Sequence, residues 1–180
     1  MKYMKKLVNA IVIVLLFIQC TSDKNNIVAK NSIGTINKNT SIEELDNLFK
    51  NDSVVKIPND SDFIREYKVF NIGGKHLLTI KPEYRNDSLK SISSVKIYSD
   101  TYKTEKEIST ASTYKDVLDN YSVSKVEPSF SSAIVFIDEI NATIAIDKKD
   151  LRIDEFDMQK ISKDQIPDMA KIQYITLWFD

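Results

Sequence analysis

The stretch that decides the fold is Ile108 to Tyr121, I-S-T-A-S-T-Y-K-D-V-L-D-N-Y, because the chain states a version of it twice. Seventy-two positions earlier, Ile36 to Phe49 reads I-N-K-N-T-S-I-E-E-L-D-N-L-F. Ile36 matches Ile108, Thr40-Ser41 matches Ser112-Thr113, Glu44 matches Asp116, Leu45 matches Val117 and Phe49 matches Tyr121. In each copy a hydroxyl residue is followed three positions later by an acid, the pattern of a helix N-terminus with a capping box. Ile42, Leu45, Leu48 and Phe49, and then Tyr114, Val117, Leu118 and Tyr121, recur at helical spacing. Two short amphipathic helices are expected, capped at Ser41 (or Thr40) and at Thr113.

Strand signals follow each helix. Tyr67–Ile72 and Lys75–Ile80 flank Gly73-Gly74, a hairpin turn signal. Pro82 is expected to stop the return strand, with Lys81–Leu89 as a turn and Ser91–Tyr98 as a third strand. In the second half Ala133–Ile137 and Ile140–Ile146 form a pair around Asp138-Glu139. A long polar insertion, Asp147–Asp168, with Phe156, Met158 and Ile161 as its anchors, leads to a final strand at Ile172–Phe179. Ser94–Tyr98 aligns with Tyr174–Trp178, so each copy ends on a strand closed by an aromatic. A stripe of four apolar residues does not hold a helix alone, so each helix needs a sheet to pack on. The expected fold is α+β: two tandem helix-plus-antiparallel-strand repeats, about 33–100 and 105–180, in one layered domain with the helices on one face of the sheet.

The N-terminus reads differently. Lys2, Lys5 and Lys6 precede an apolar run from Leu7 to Ile18 interrupted only by Asn9, and Cys20 follows. Twelve residues are too few for a bilayer core of about 30 Å, which needs about 20, but suit a signal peptide. Residues 1–19 are expected to be a signal peptide and 20–32 a polar tether. A lone cysteine placed directly after such a run resembles the start of bacterial lipoproteins. That resemblance implies lipid (a palmitate class of modification) on Cys20, anchorage to the membrane through it, and an address in the bacterial cell envelope, with the outer membrane and periplasm as the expected setting.

The chain has 180 residues, 42% hydrophobic and 28% charged, as in globular proteins. Removing the signal takes Lys2, Lys5 and Lys6, and no acid, from 25 basic and 26 acidic residues, leaving a formal charge of −4. No nucleic-acid partner is expected of an acidic chain without a basic motif. With Cys20 lipidated no thiol remains, so disulfides and thiol catalysis drop out together. His76 is the one histidine, expected to be exposed on its hairpin without a local partner. Asp147, Asp150, Asp154, Glu155 and Asp157 form an acidic stretch, but it has no EF-hand spacing and holds Lys148, Lys149 and Arg152, so a solvated connection is expected. No phosphate loop, dinucleotide turn, nucleophile elbow or zinc motif is present in the sequence. No metal, no other cofactor and no catalytic residue are assigned.

The repeated helix-then-strand units also resemble the architecture of β-lactamase inhibitor proteins and of small outer-membrane-assembly lipoproteins. In those families an open sheet face binds other proteins. Along the last strand Ile175, Leu177 and Phe179 form one alternate set and Tyr174, Thr176 and Trp178 the other. If the first set meets the helices, Tyr174, Thr176 and Trp178 face outward with Tyr98, which aligns with Trp178. The expectation is a non-enzymatic protein-binding module whose partner, another envelope protein, meets Tyr98, Tyr174, Thr176 and Trp178. Two alternatives stay open: a lipid-anchored carboxylate-dependent hydrolase of glycan or peptide, and an immunity-type inhibitor or structural lipoprotein.

Overall fold

The computed structural model describes residues 26–58, 64–85 and 88–179. Cys20 and the segment read as a signal peptide lie outside them. Three short strands come first, β1 (Ile27–Ala29), β2 (Ser32–Ile33) and β3 (Ile36–Asn37), followed by a 3-10 turn at Ile42–Glu44 that runs into the one-turn helix α1 (Leu45–Leu48). Four longer strands follow: β4 (Ser53–Pro58), β5 (Ile64–Phe70), β6 (His76–Arg85) and β7 (Ser88–Ile97). After β8 (Lys103–Thr104) comes α2 (Tyr114–Asn120), and then β9 (Val126–Pro128), β10 (Ser132–Ile137), β11 (Ala142–Asp147) and β12 (Ile172–Trp178).

The long strands make one eight-stranded antiparallel sheet in the order β4-β5-β6-β7-β12-β11-β10-β9. Each half of the chain is thus a four-stranded meander, and the two meanders meet through their last strands. The seam pairs Ile97 with Ile175, Lys96 with Thr176, Val95 with Leu177 and Ser94 with Trp178. Lys96 and Thr176 are the middle residues of the two aligned segments, so the ladder has an approximate two-fold centre at that pair. A second, four-stranded sheet, β3-β2-β1-β8, has β1 parallel to β8 and ties the N-terminal strands to the connection between the halves.

The α+β expectation is overturned. Strands take 43% of the described residues and helical turns 15%, with α2 as the one real helix. The reason is local. Ser41 does cap, its hydroxyl accepting from the Glu43 N–H, but Glu44 does not reach back to close the box, and the helix ends after one α-turn at Phe49. Thr113 and Asp116 do close theirs: the Asp116 carboxylate accepts from the Thr113 N–H at 2.7 Å and the Thr113 hydroxyl accepts from the Asp116 N–H at 3.3 Å. Even so α2 is seven residues long. The helices are therefore packing pieces and do not form a layer.

Alternation along the strands sorts the sheet into two faces. Val69, Leu78, Ile80, Val95, Ile97, Val135, Ala142, Ile144, Ile175 and Leu177 form one buried set, and they join a single core with Val28, Ile33, Ile36, Ile42, Leu45, Tyr114, Val117 and Tyr121 from the short strands and helical turns. Both sequence stripes point into it except at Leu118, which is exposed. The polar stretch expected as a tether contributes structure from β1 onward, because Val28 and Ile33 are buried in the same core.

Pro82 does not end β6. It lies beyond the last β5–β6 pair, Tyr67 with Ile80, and at a bulge against β7, so its missing N–H costs no ladder bond. The insertion after β11 is anchored differently from expectation as well. Phe156 and Met158 are exposed, while Ile161, Ile166 and Lys148 are buried. The Lys148 ammonium donates to the carbonyl oxygens of Phe130, Glu155 and Asp157, pinning the insertion to the β9–β10 turn. Lys148→Met would strand those acceptors and is expected to destabilise the protein by roughly 2–4 kcal/mol, with proteolysis beginning within residues 150–160. Urea unfolding beside limited digestion checks this, and a change under about 0.5 kcal/mol, the size of an ordinary surface substitution, would show that the lysine is dispensable.

Candidate functional site

The second face of the eight-stranded sheet is built from the other alternate set. One row crosses it from strand to strand: Lys68, Thr79, Lys96, Thr176, Thr143, Phe136. None of these joins the core cluster, and neither do Tyr174, Trp178 or Ala145 on the same face. The buried apolar residues of the short strands, both helices and the 147–170 insertion all belong to the core on the opposite face.

The sequence-predicted residues share this face. Tyr174, Thr176 and Trp178 alternate along β12, which is a central strand paired with β7 and β11. Tyr98 follows β7 directly, its ring centroid 5.7 Å from that of Tyr174. Their accessibility differs. Trp178 is exposed, Tyr98 and Tyr174 are half-buried, and Thr176 is only 2% exposed, so Thr176 forms floor rather than contact surface. Trp178 is oriented by its indole N–H, 3.4 Å from Thr143 Oγ1, and by the Asn141 amide, which donates to its carbonyl oxygen at 3.0 Å.

Two further aromatic rings extend the line. Phe70 stacks on His76 with centroids 4.9 Å apart, and His76 stacks on Tyr98 at 4.3 Å. Phe70, His76, Tyr98 and Tyr174 thus form a continuous row across β5, β6, β7 and β12. His76 was expected to be free on an exposed hairpin; the structure corrects this. The register shifts at Val69/Phe70, leaving Leu77 unopposed, and that bulge turns His76 onto the open face opposite Phe70. The turn itself is tight, with Asn71 and Lys75 exchanging hydrogen bonds and Gly74 at φ +77, a conformation suited to glycine.

A hydrogen-bonded chain holds this end of the row. His76 Nε2 lies 3.0 Å from both the Leu78 carbonyl oxygen and Thr79 Oγ1. A carbonyl only accepts, so Nε2 carries the proton. The Thr79 hydroxyl in turn bonds to the Tyr98 phenol. Burial, with Lys68 adding to it, holds His76 below its ordinary value of 6.5 against the opposing Leu78 bond. Burial also raises the Tyr98 and Tyr174 phenols.

Beside this row the face dips into a recess of about 300 Å³ lined by Arg65, Glu66, Lys68, His76, Thr79, Lys81, Lys96 and Tyr98. Glu66 lies 3.4 Å from Lys68 and 4.0 Å from Arg65. Lys96 sits over the Tyr174 ring at 4.6 Å. Burial first, then Lys81, holds the Lys96 ammonium below the usual lysine range. Sequence reading missed the recess because its residues come from three strands and are unremarkable singly.

The acidic stretch offers no comparable grouping. Asp147 accepts from the Lys149 N–H and the Gln173 amide, Asp154 caps Phe156, and Glu155 pairs with Lys149 at 3.1 Å. Among the described residues no three His, Cys, Asp or Glu side chains are placed to hold a metal ion, and no helix is long and apolar enough to cross a membrane.

His76 supplies a check on this geometry. Because its folded pKa is lowered, the unfolded chain takes up the proton first as pH falls, and the stability linked to neutral His76 declines as pH drops through 6.5. NMR titration of the His76 ring is expected to give a midpoint below 6.5 with the Nε2-protonated tautomer above it. A midpoint above 6.5 would contradict the packed, neutral ring.

No protein-family model and no curated protein matches this chain. Among solved structures, the crystal structure of the uncharacterized protein yfeY from Escherichia coli is similar, with a TM-score of 0.54 over 86% of this chain and 97% of that one. At 9% identity the likeness is one of fold alone.

Proposed function

We propose that the protein is a lipid-anchored lipoprotein of a bacterial cell envelope that binds another envelope protein through the open face of its eight-stranded sheet, without catalysing a reaction. The observation that carries this reading is the face itself: a sheet surface outside the core of the described residues, with ordered aromatic rings and a polar floor. Tyr98, Tyr174 and Trp178 are its contact residues, and Thr176 supports them from beneath. Aromatic side chains fixed by neighbours lose little freedom on binding, which is why such residues dominate interface energetics. The anchor is lipid on Cys20, and the outer membrane is the proposed address.

Two variants test the two parts. Cys20→Ser is expected to move the protein from the membrane fraction to the soluble fraction, and retention in the membrane would remove the lipid anchor from the account. Tyr174→Ala with Trp178→Ala is expected to weaken the partner by at least thirtyfold, about 2 kcal/mol, while leaving thermal unfolding little changed. A folded double variant that keeps its partner at full affinity would remove this face as the interface.

A further inference from the structure

The two halves of the open face differ in charge, and the approximate two-fold centre at Lys96 and Thr176 makes the comparison position by position. On the row through that pair Thr79 corresponds to Thr143, and Lys68 corresponds to Phe136. Lys81 lies opposite Ser94 and Ala145 lies opposite Tyr174, two residues before the centre in each case, so these correspond as well. The lysines of the first half are thus matched by Phe136, Ala145 and Thr176 in the second. The same sheet position is filled without charge in one half, so the sheet does not require Lys68, Lys81 or Lys96.

All three line the recess, with Arg65 at its rim and Glu66 as the acid among the lining residues. Glu66 engages Arg65 and Lys68. That leaves Lys81 and Lys96 with no carboxylate within 4.0 Å among the described residues, although Lys96 is half-buried and repelled by Lys81 more than the more distant Glu66 carboxylate attracts it. The Tyr98 hydroxyl lines the same hollow, and a phenol O–H can donate to an anion. Two ammonium groups without a paired carboxylate and a phenol line one polar hollow, in which Glu66 is the one acid against four cations.

We propose that this recess is a binding site for a phosphoryl dianion, either free phosphate or a phosphate monoester such as a lipid headgroup. A single carboxylate would balance one of the two free lysines, whereas a phosphate dianion balances both and presents several acceptor oxygens. The volume of about 300 Å³ accommodates the anion with a compact substituent lying against the His76 and Tyr98 rings. The inference goes beyond the protein-binding reading and shares with it the open face and Tyr98.

The test titrates the full chain in neutral detergent with inorganic phosphate, with dioctanoyl phosphatidic acid, and with acetate at matched ionic strength. Saturable one-to-one binding of phosphate is expected, with acetate binding far more weakly. Phosphate and phosphatidic acid binding alike would identify the phosphoryl group as the whole ligand, and tighter phosphatidic acid would identify a lipid headgroup; both support the site. The K81Q/K96Q variant is expected to bind phosphate at least about tenfold more weakly, while K81R/K96R retains binding, which separates lost charge from lost folding. Acetate matching phosphate, or undiminished binding by a folded K81Q/K96Q, would overturn the site. Neither variant replaces Tyr174 or Trp178, and K81Q alone leaves the Lys96–Tyr174 contact in place, so a failed anion titration leaves the protein-partner test standing, and the reverse holds too.

Discussion

The pairing of β7 with β12 is the interaction on which the rest depends. A four-stranded meander with one short helical turn cannot bury both its apolar face and its edge. Here two such meanders share an edge, and the shared strands become the centre of an eight-stranded sheet. The seam places Ile97 beside Ile175 and Val95 beside Leu177, all at most 1% exposed, so it also joins the halves of the core. Because strand side chains alternate, fixing that register fixes what faces outward: Ser94, Lys96, Thr176 and Trp178 are committed to the open side. A slip of one residue would drive Lys96 into the core.

The open face then inherits two characters from one architecture. Around the centre, the threonines Thr79, Thr143 and Thr176 make a polar, tightly enclosed floor. Toward β10 the surface carries Phe136 and Trp178, and toward β5 it carries Lys68, Lys81 and Lys96 with the stacked rings of Phe70, His76 and Tyr98. An approximately two-fold scaffold with unlike halves can meet two different chemistries without changing its core. On the proposed reading, Tyr98, Tyr174 and Trp178 meet a protein partner and the basic recess meets an anion.

Parts of this arrangement were legible in the sequence, but the α+β layering expected from it was wrong, and what stayed hidden did so for identifiable reasons. The strong period-two run Ile172–Phe179 set the strand and both of its faces, and the Thr113–Asp116 cap was written in local chemistry. The first helix failed because Glu44 does not close its box, so a good apolar stripe had no cap strong enough to extend it. The strands β1 to β3 are two or three residues long, too short to show any period, and owe their order to tertiary packing of Val28, Ile33 and Ile36. His76 was misplaced because a bulge at Leu77 inverts its face, and a bulge leaves no mark in the hydrophobic pattern. Lys148 looked like one charge in a solvated run, yet the carbonyls that bury it lie as far away as Phe130. The basic recess, likewise, exists only once β5, β6 and β7 are side by side.

The core closes one side of the sheet, and the proposed working surface is the other. Site-specific photo-crosslinking in the native envelope tests it most directly, with the crosslinking residue placed at exposed Trp178 or Lys81 on the open face and at exposed Leu118 on the helix side. Discrete adducts from the open-face positions, absent from Leu118, are the predicted result. Adducts from Leu118 alone, or an equal pattern from both sides, would contradict the account.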